Sequence, residues 1–181
     1  MPDFLSEYFC QKHTGAEHNE PEHIRTALAA LATLLAEKGL VLGTAESCTG
    51  GLLAAFCTSL PGSSRWFQGG VVAYANEVKT ALLGVPPALL HAHGAVSREV
   101  AEAMSQGCIG AVQAHCAIAV TGIAGPDGGS PEKPVGTVWI ATCLHDGGAD
   151  ARCFLFAGDR SAVRLAAIFQ GILLLAERLK K

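Results

Sequence analysis

The sequence predicts an α/β protein, a three-layer α/β/α sandwich with a mixed, mostly parallel five-stranded sheet. Short apolar runs of strand length alternate with segments of helical periodicity, and helices are predicted before, between and after the strands. Half of the 181 residues are apolar and only 16% are charged, as expected for a sheet buried on both faces. At this length we expect one domain over residues 23–181, preceded by a poorly ordered leader over residues 1–22.

The first half of the chain predicts two strands, each followed by a helix. Leu28, Leu31 and Leu35 belong to an apolar face that repeats every three or four residues, and Gly39 is placed to end that helix. Asn76 is the expected N-cap of a short helix that Gly84 breaks. The other predicted elements here are a helix over 24–35, a strand over 40–45, a helix over 49–59, a strand over 67–74 and a helical turn over 86–91.

The second half predicts three strands and two long helices. Ser97 is a good N-cap for a helix over 100–112, and Asp159 for a last helix that ends near residue 179. The polar turn at 146–148 makes the last two strands an antiparallel hairpin. The strands are predicted over 116–120, 135–143 and 151–156, with a glycine- and proline-rich loop over 123–134.

Charge and composition argue against several classes of function. The net charge of −3, without a long basic run, argues against nucleic-acid binding. No apolar run is long enough to span a bilayer, so we expect no membrane partner. The seven cysteines are scattered without a C-x-x-C pair, which indicates a reduced, cytoplasmic protein without a structural zinc site. His13, His18 and His23 recur at a spacing that suits neither a helix face nor a strand face, so a metal site there is the less favoured interpretation.

Four short polar segments interrupt the apolar pattern, at residues 46–51, 74–79, 121–129 and 158–160. The first three directly follow predicted strands. In open α/β sheets, ligands bind beyond the carboxyl ends of parallel strands, so a parallel arrangement would bring these three segments together. The amides of residues 121–129, the glycine loop, are suited to a phosphate or an oxyanion. The loop matches neither of the glycine motifs that bind ATP or NAD, so neither cofactor is predicted.

The catalytic prediction depends on Ser47 and Lys79. Ser47 lies between a strand and a helix, where a serine is usually only an N-cap but can also be a nucleophile. Lys79 is expected at the third helical position after Asn76, where the helix dipole and partial burial favour the neutral amine; a solvated surface lysine is the plain alternative. Tyr74 can donate a hydrogen bond to a leaving group. Cys48 is a rival nucleophile that ranks below Ser47, because no histidine is paired with it.

Six segments resemble the CinA carboxyl-terminal domain family, and the resemblance covers about residue 23 to the end. They are the runs 44–51 (TAESCTGG), 69–79 (GGVVAYANEVK), 93–97 (HGAVS), 121–129 (TGIAGPDGG), 133–138 (KPVGTV) and 158–160 (GDR). The resemblance implies an amidohydrolase that converts nicotinamide mononucleotide to nicotinate mononucleotide and ammonia, in pyridine-nucleotide salvage. It also implies a homodimer that needs neither a metal nor a cofactor. Full-length CinA proteins carry a further amino-terminal domain, so we expect this chain to be the stand-alone form.

The family is described as a Ser–Lys type hydrolase. Carried over, Ser47 is the nucleophile, Lys79 the base that activates it, and Tyr74 an assisting hydroxyl. Backbone amides beside Ser47 or in the glycine loop would stabilise the tetrahedral oxyanion, and Arg160 with the glycine loop would hold the substrate phosphate. The substrate-binding candidates are Glu46, Thr49, Gly50, Gly51, Asn76, Thr121, Gly122, Ala124, Gly125 and Arg160.

Three other interpretations stay open at this point. The first is a non-catalytic nucleotide-binding module linked to competence or DNA damage, as the family name suggests. The second is a Ser–Lys amidase that acts on another amide, because a fold does not fix its substrate. The third is a cysteine hydrolase that uses Cys48. Ammonia release from nicotinamide mononucleotide separates the first from the amidohydrolase, and a comparison of related amides separates the second.

Overall fold

The computed structural model describes residues 21–146 and 148–181, and their strands form one five-stranded sheet. The spatial order is β2–β1–β3–β4–β5, for strands β1 (Leu42–Glu46), β2 (Phe67–Val72), β3 (Cys116–Gly122), β4 (Thr137–Leu144) and β5 (Gly148–Leu155). β1 pairs in parallel with β2 and β3, whereas β4 is antiparallel to β3 and to β5. Four strands therefore run in one direction and β4 opposes them, which confirms the predicted mixed sheet.

Helices cover both faces of this sheet, as the predicted three-layer sandwich requires. They are α1 (Glu22–Glu37), α2 (Leu52–Ser59), α3 (Asn76–Leu83), α4 (Pro87–His93), α5 (Arg98–Val112) and α6 (Arg160–Leu179), with a 3-10 turn at Ser63–Arg65. Apolar residues of α1, α2 and α6 form a core on one face, and those of α3, α4 and α5 form a second core on the other. No helix within the described ranges is long and apolar enough to cross a bilayer.

β1, which lies between its parallel neighbours β2 and β3, is buried along its whole length because helices pack on both faces of the sheet. Leu42 contributes to the core beneath α1 and α6, while Ala45 contributes to the core beneath α5. Gly43 is required for close packing, since a Cβ there would lie 2.7 Å from a methyl group of Val112. With β2 and β3 parallel on either side of β1, the carboxyl ends of the three strands meet at one edge of the sheet. The polar segments that follow them converge there as predicted.

Several local predictions are confirmed at the helix ends. Gly39 follows α1 with a φ of 64°, the left-handed conformation that commonly ends a helix. The Ser97 hydroxyl accepts a hydrogen bond from the N–H of Val100 (3.4 Å), and the Asp159 carboxylate accepts one from the N–H of Ala162 (2.8 Å). These two caps fix the starts of α5 and α6.

Two predictions about helix starts are wrong. Asn76 is not an N-cap but the first residue of α3, after Ala75, so Lys79 occupies the fourth helical position rather than the third. Gly50 and Gly51 do not lie in the first turn of α2 but precede it, with φ values of 59° and 88°. The chain needs two left-handed residues to reverse direction here, and glycine adopts that conformation without steric conflict.

The remaining differences concern boundaries. β2 ends at Val72 rather than at residue 74, β3 continues to Gly122, and β4 begins at Thr137 rather than at residue 135. Glu22, assigned above to the leader, is already the first residue of α1. Residues 1–20 of the predicted leader, with His13 and His18, lie outside the described residues, as does Gly147 in the hairpin turn.

Candidate active site

A cavity of about 280 Å³ opens beside the carboxyl ends of β1, β2 and β3. All four of the polar segments identified in the sequence contribute to its walls. The predicted site residues that line it are Ser47, Tyr74, Asn76, Lys79, Thr121, Gly122, Ala124, Gly125 and Arg160. The structure thus gathers all three predicted catalytic groups and much of the glycine loop around one space. Its volume is at the small end of the usual range for ligand pockets, about 300–1,000 Å³.

Ser47 is the first residue after β1 and lines the cavity at this edge of the sheet. Its N–H donates to the carbonyl oxygen of Val120 (2.9 Å), which extends the β1–β3 ladder by one rung. Its own carbonyl accepts from the N–H of Gly50 (3.0 Å), which closes the tight turn over residues 47–51, hereafter the Ser47 turn. Its side chain is not the cap of α2, whose N-cap is Gly51. The hydroxyl therefore remains available to the cavity.

Lys79 is a buried amine, with 1% of its surface exposed, and the surface-lysine alternative is wrong. Its Nζ donates to the carbonyl oxygens of Ala73 (2.9 Å) and Tyr74 (3.0 Å), the two residues that directly follow β2. Burial lowers the pKa of Lys79, while Cys48 and the Glu77 carboxylate act weakly in the opposite direction. The dominant cause is therefore desolvation, and the neutral amine is favoured more than in an ordinary lysine.

Tyr74 and Arg160 form one unit at the mouth of the cavity. The Arg160 guanidinium donates to the Tyr74 phenolic oxygen (3.1 Å) and to the carbonyl oxygen of Gly125 (2.8 Å). Arg160 is the first residue of α6 and so connects that helix both to the glycine loop and to the segment after β2. A guanidinium has five N–H donors, so three remain for a ligand.

The wall opposite α6 is formed by a segment that the site prediction missed. Ala95 and Val96, between α4 and α5, line the cavity. The Thr121 hydroxyl donates to the carbonyl of Ala95 (2.8 Å), and Lys133 Nζ donates to the carbonyl of Val96 (2.8 Å). The signal in the sequence was the run 93–97 noted for its family resemblance, to which no role had been given. Asp127 and Gly128 of the glycine loop also line the cavity.

Four predicted binding residues do not reach this cavity, namely Glu46, Thr49, Gly50 and Gly51. Glu46 instead serves α2: its buried carboxylate accepts the N–H groups of Leu53 (3.0 Å) and Ala54 (2.8 Å). An acidic side chain at this position satisfies two otherwise free donors and interacts favourably with the helix dipole. The positive end of α2 is thereby occupied by a carboxylate of the protein itself.

Cys48 lies beside Ser47 and lines the cavity, but it is a poor candidate for a nucleophile. Burial raises the pKa of its thiol to about 11, against which nearby Arg160 and Arg164 act only weakly. The reactive thiolate is therefore scarce near neutral pH.

In the glycine loop, the N–H groups of Ala124 and Gly125 donate to no carbonyl of the described residues, so both are available to a ligand. No cluster of His, Cys, Asp and Glu able to hold a metal occurs in the described ranges.

Comparison with known proteins gives a consistent result. The family model of the CinA C-terminal domain matches residues 25–179. A CinA-like protein of Citrifermentans bemidjiense is 52% identical over 142 residues, which are 78% of this chain and 34% of that protein. A CinA-like protein of Mycobacterium tuberculosis is 56% identical over 126 residues, 70% of this chain and 29% of that protein. The match thus spans about a third of the length of these relatives.

Solved structures agree over nearly their full length. The crystal structure of the competence/damage inducible protein CihA from Agrobacterium tumefaciens has a TM-score of 0.86 and 38% sequence identity to this chain. The match covers 91% of this chain and 100% of that one. The arrangement of sheet and helices is therefore one that related chains of similar size adopt.

Proposed function

The chain belongs to the CinA C-terminal domain family, and from this premise we propose that it hydrolyses the carboxamide of nicotinamide mononucleotide to nicotinate mononucleotide and ammonia. The observation that carries the proposal is the buried, charge-disfavoured amine of Lys79 in the same cavity as the free hydroxyl of Ser47. A serine beside a base of lowered pKa is the usual requirement for attack on an amide.

The hydrogen bonds of Lys79 support a role as a base. A neutral amine has two N–H donors and one lone pair, and the carbonyls of Ala73 and Tyr74 accept two hydrogen bonds from Nζ. With both donors used in this way, the remaining position on the nitrogen is the lone pair. In the proposed reaction this lone pair takes the proton of the Ser47 hydroxyl as its oxygen attacks the carboxamide carbon.

Attack gives a tetrahedral intermediate with a negative oxygen, which needs hydrogen-bond donors. The N–H groups of Cys48, Ala124 and Gly125 donate to no carbonyl of the described residues, and all three residues line the cavity, so these N–H groups are the candidates for this role. The intermediate collapses as Lys79 returns the proton to the amide nitrogen, so the C–N bond breaks and ammonia leaves. Water then attacks the Ser47 ester with Lys79 again as the base, which releases the carboxylate and restores the serine.

The shape and charge of the cavity support a mononucleotide as substrate. A cavity of about 280 Å³ has a volume of the order expected for a small-molecule ligand such as a mononucleotide. Arg160 at the mouth has N–H groups left over to receive a phosphate, and the Tyr74 hydroxyl is the proposed assisting group. Asn76 and Thr121 offer further polar side chains on the wall. The same geometry would also accept a different amide substrate, so the substrate is identified by the experiment below.

The test is ammonia release by the purified protein with nicotinamide mononucleotide. Ser47→Ala is expected to abolish release, while Ser59→Ala, which alters an exposed serine at the end of α2, retains it. Nicotinamide and nicotinamide riboside are run beside the mononucleotide. Release from another amide alone would favour the broader amidase, and binding without any release would favour a nucleotide-binding module. Release by Ser47→Ala at the wild-type rate would exclude Ser47 as the nucleophile.

A further inference from the structure

Two arginines one helical turn apart connect the start of α6 to two different segments near the cavity. Arg160 contacts the glycine loop and Tyr74, as described above. Arg164 donates from Nε (3.2 Å) and from a terminal nitrogen (2.7 Å) to the carbonyl oxygen of Thr49. Residues four apart lie on the same face of a helix, so α6 presents both guanidinium groups in one direction. Arg164 itself does not line the cavity.

The acceptor of Arg164 is the middle of the Ser47 turn. Thr49 is fully buried, and its carbonyl also accepts the N–H of Leu52 (3.2 Å) at the start of α2. The guanidinium lies against the turn, since a Cβ built on Gly50 would be 3.8 Å from it. Both arginines also lower the pKa of the Cys48 thiol slightly, as expected for positive charges close to this turn.

A turn of this composition needs an external support. Gly50 and Gly51 have no side chains to pack, and glycine has more conformational freedom to lose than any other residue. Within the turn, one backbone hydrogen bond joins Gly50 to Ser47. Catalytic groups must be held in place, because a displacement of about 1 Å can reduce the rate roughly 100-fold.

We propose that Arg164 is a positioning residue that fixes the Ser47 turn to α6 through the Thr49 carbonyl and so holds the Ser47 hydroxyl in its attacking position. The turn-fixing part of this proposal stands on the contacts alone, and the catalytic part rests on the proposed function. Because Arg160 and Arg164 belong to the same rigid helix, α6 sets the separation between the Ser47 turn and the glycine loop.

The test compares Arg164→Gln with Arg178→Gln. Arg178 is the matched control, because it lies at the other end of α6 and also donates to backbone carbonyls, those of Thr142 and Gly148 (2.7 Å each). Amide hydrogen exchange is measured over the peptide 44–54, together with kcat and KM for nicotinamide mononucleotide. Arg164→Lys is included as the conservative variant, because it keeps a cationic donor but loses the planar guanidinium whose two nitrogens donate to Thr49.

Arg164→Gln is expected to speed exchange in the peptide 44–54 by about 10–100-fold, as expected for loss of a charged hydrogen bond, without a change in the strands of the sheet. The same change should lower kcat by a similar factor with KM nearly unaltered, and Arg164→Lys should fall between it and the wild type. Arg178→Gln should change neither quantity.

Unaltered exchange in Arg164→Gln would overturn the proposal. Faster exchange with an unchanged kcat would overturn the catalytic part of the proposal. It would still support the inference that Arg164 fixes the Ser47 turn. If the wild type released no ammonia, the proposed function would fail, yet the exchange measurement would still decide whether Arg164 fixes the turn.

Discussion

The side-chain nitrogen of Lys79 donates a hydrogen bond to the carbonyl oxygen of Ala73 at 2.9 Å. The N–H of Ala73 in turn donates to the carbonyl oxygen of Glu46 (2.8 Å), the residue before Ser47. The amine of α3 is thus tied to the backbone of β1 through a single residue. This relationship explains how a lysine from a short helix comes to lie buried near the carboxyl end of β1.

Lys79→Met is expected to lower kcat by about 100-fold to 10,000-fold, the usual contribution of a general base, with a small effect on KM. Stability should change by less than about 2 kcal/mol, because relief of amine burial offsets the loss of partners for two carbonyls. Steady-state kinetics and denaturant unfolding check both statements. Lys38→Met, at an exposed lysine beyond α1, is the control. A rise in KM alone would instead make Lys79 a substrate-binding group.

The pH dependence of activity follows from the lowered pKa of Lys79. Only the neutral amine accepts a proton, so kcat/KM should rise with pH and level off below the ordinary lysine value of about 10.4. The measurement is kcat/KM over a pH series. A kcat/KM that keeps rising up to or beyond the ordinary lysine value would be inconsistent with a base of lowered pKa.

Stability should also rise with pH in the window between the lowered pKa of folded Lys79 and its ordinary value. In that window the unfolded chain binds a proton that the folded chain does not, so raising the pH favours folding. Lys79→Met should remove this rise. Denaturation midpoints of the two proteins at matched pH values test it, and parallel curves would show that Lys79 does not contribute.

Glu46→Gln is expected to destabilise the protein by about 1–2 kcal/mol, because the amide offers one acceptor where the carboxylate offers two to α2. The kcat should fall as well, since Glu46 adjoins Ser47. Glu22→Gln, which alters an exposed acidic residue in the first turn of α1, should change stability by less than about 0.5 kcal/mol. Equal effects of the two substitutions would show that the contacts of Glu46 with α2 are unimportant.

Arg160→Gln should separate phosphate binding from support of the glycine loop. If Arg160 binds the phosphate, KM for nicotinamide mononucleotide should rise about 10–100-fold, the value of a charged hydrogen bond, with no change for nicotinamide riboside. Kinetics with the two substrates give the answer. An equal loss for both would indicate that Arg160 acts through Gly125 and Tyr74, to which it is hydrogen-bonded.

The family and the main architecture were both accessible from the sequence. Apolar periodicity located the strands and the long helices, and the local chemistry of Ser97 and Asp159 marked the starts of α5 and α6. Because ligands bind where parallel strands end, the positions of Ser47, Tyr74 and Lys79 beyond such strands predicted that they would share a site. Signals of this kind depend on residues close together in the sequence, so they can be recognised before the fold is known.

The tertiary structure alone decided how the groups of the site are held. Nothing in the sequence pairs Arg164 with Thr49, which lies 115 positions away, or assigns Glu46 to the N–H groups of α2 rather than to a ligand. The burial of Lys79, which lowers its pKa, likewise depends on segments packed around it from elsewhere in the chain. Local propensity determines which residues form helices and strands. Hydrogen bonds and desolvation within the site are set by packing between residues that are far apart in the sequence. A short stretch of sequence therefore does not reveal them.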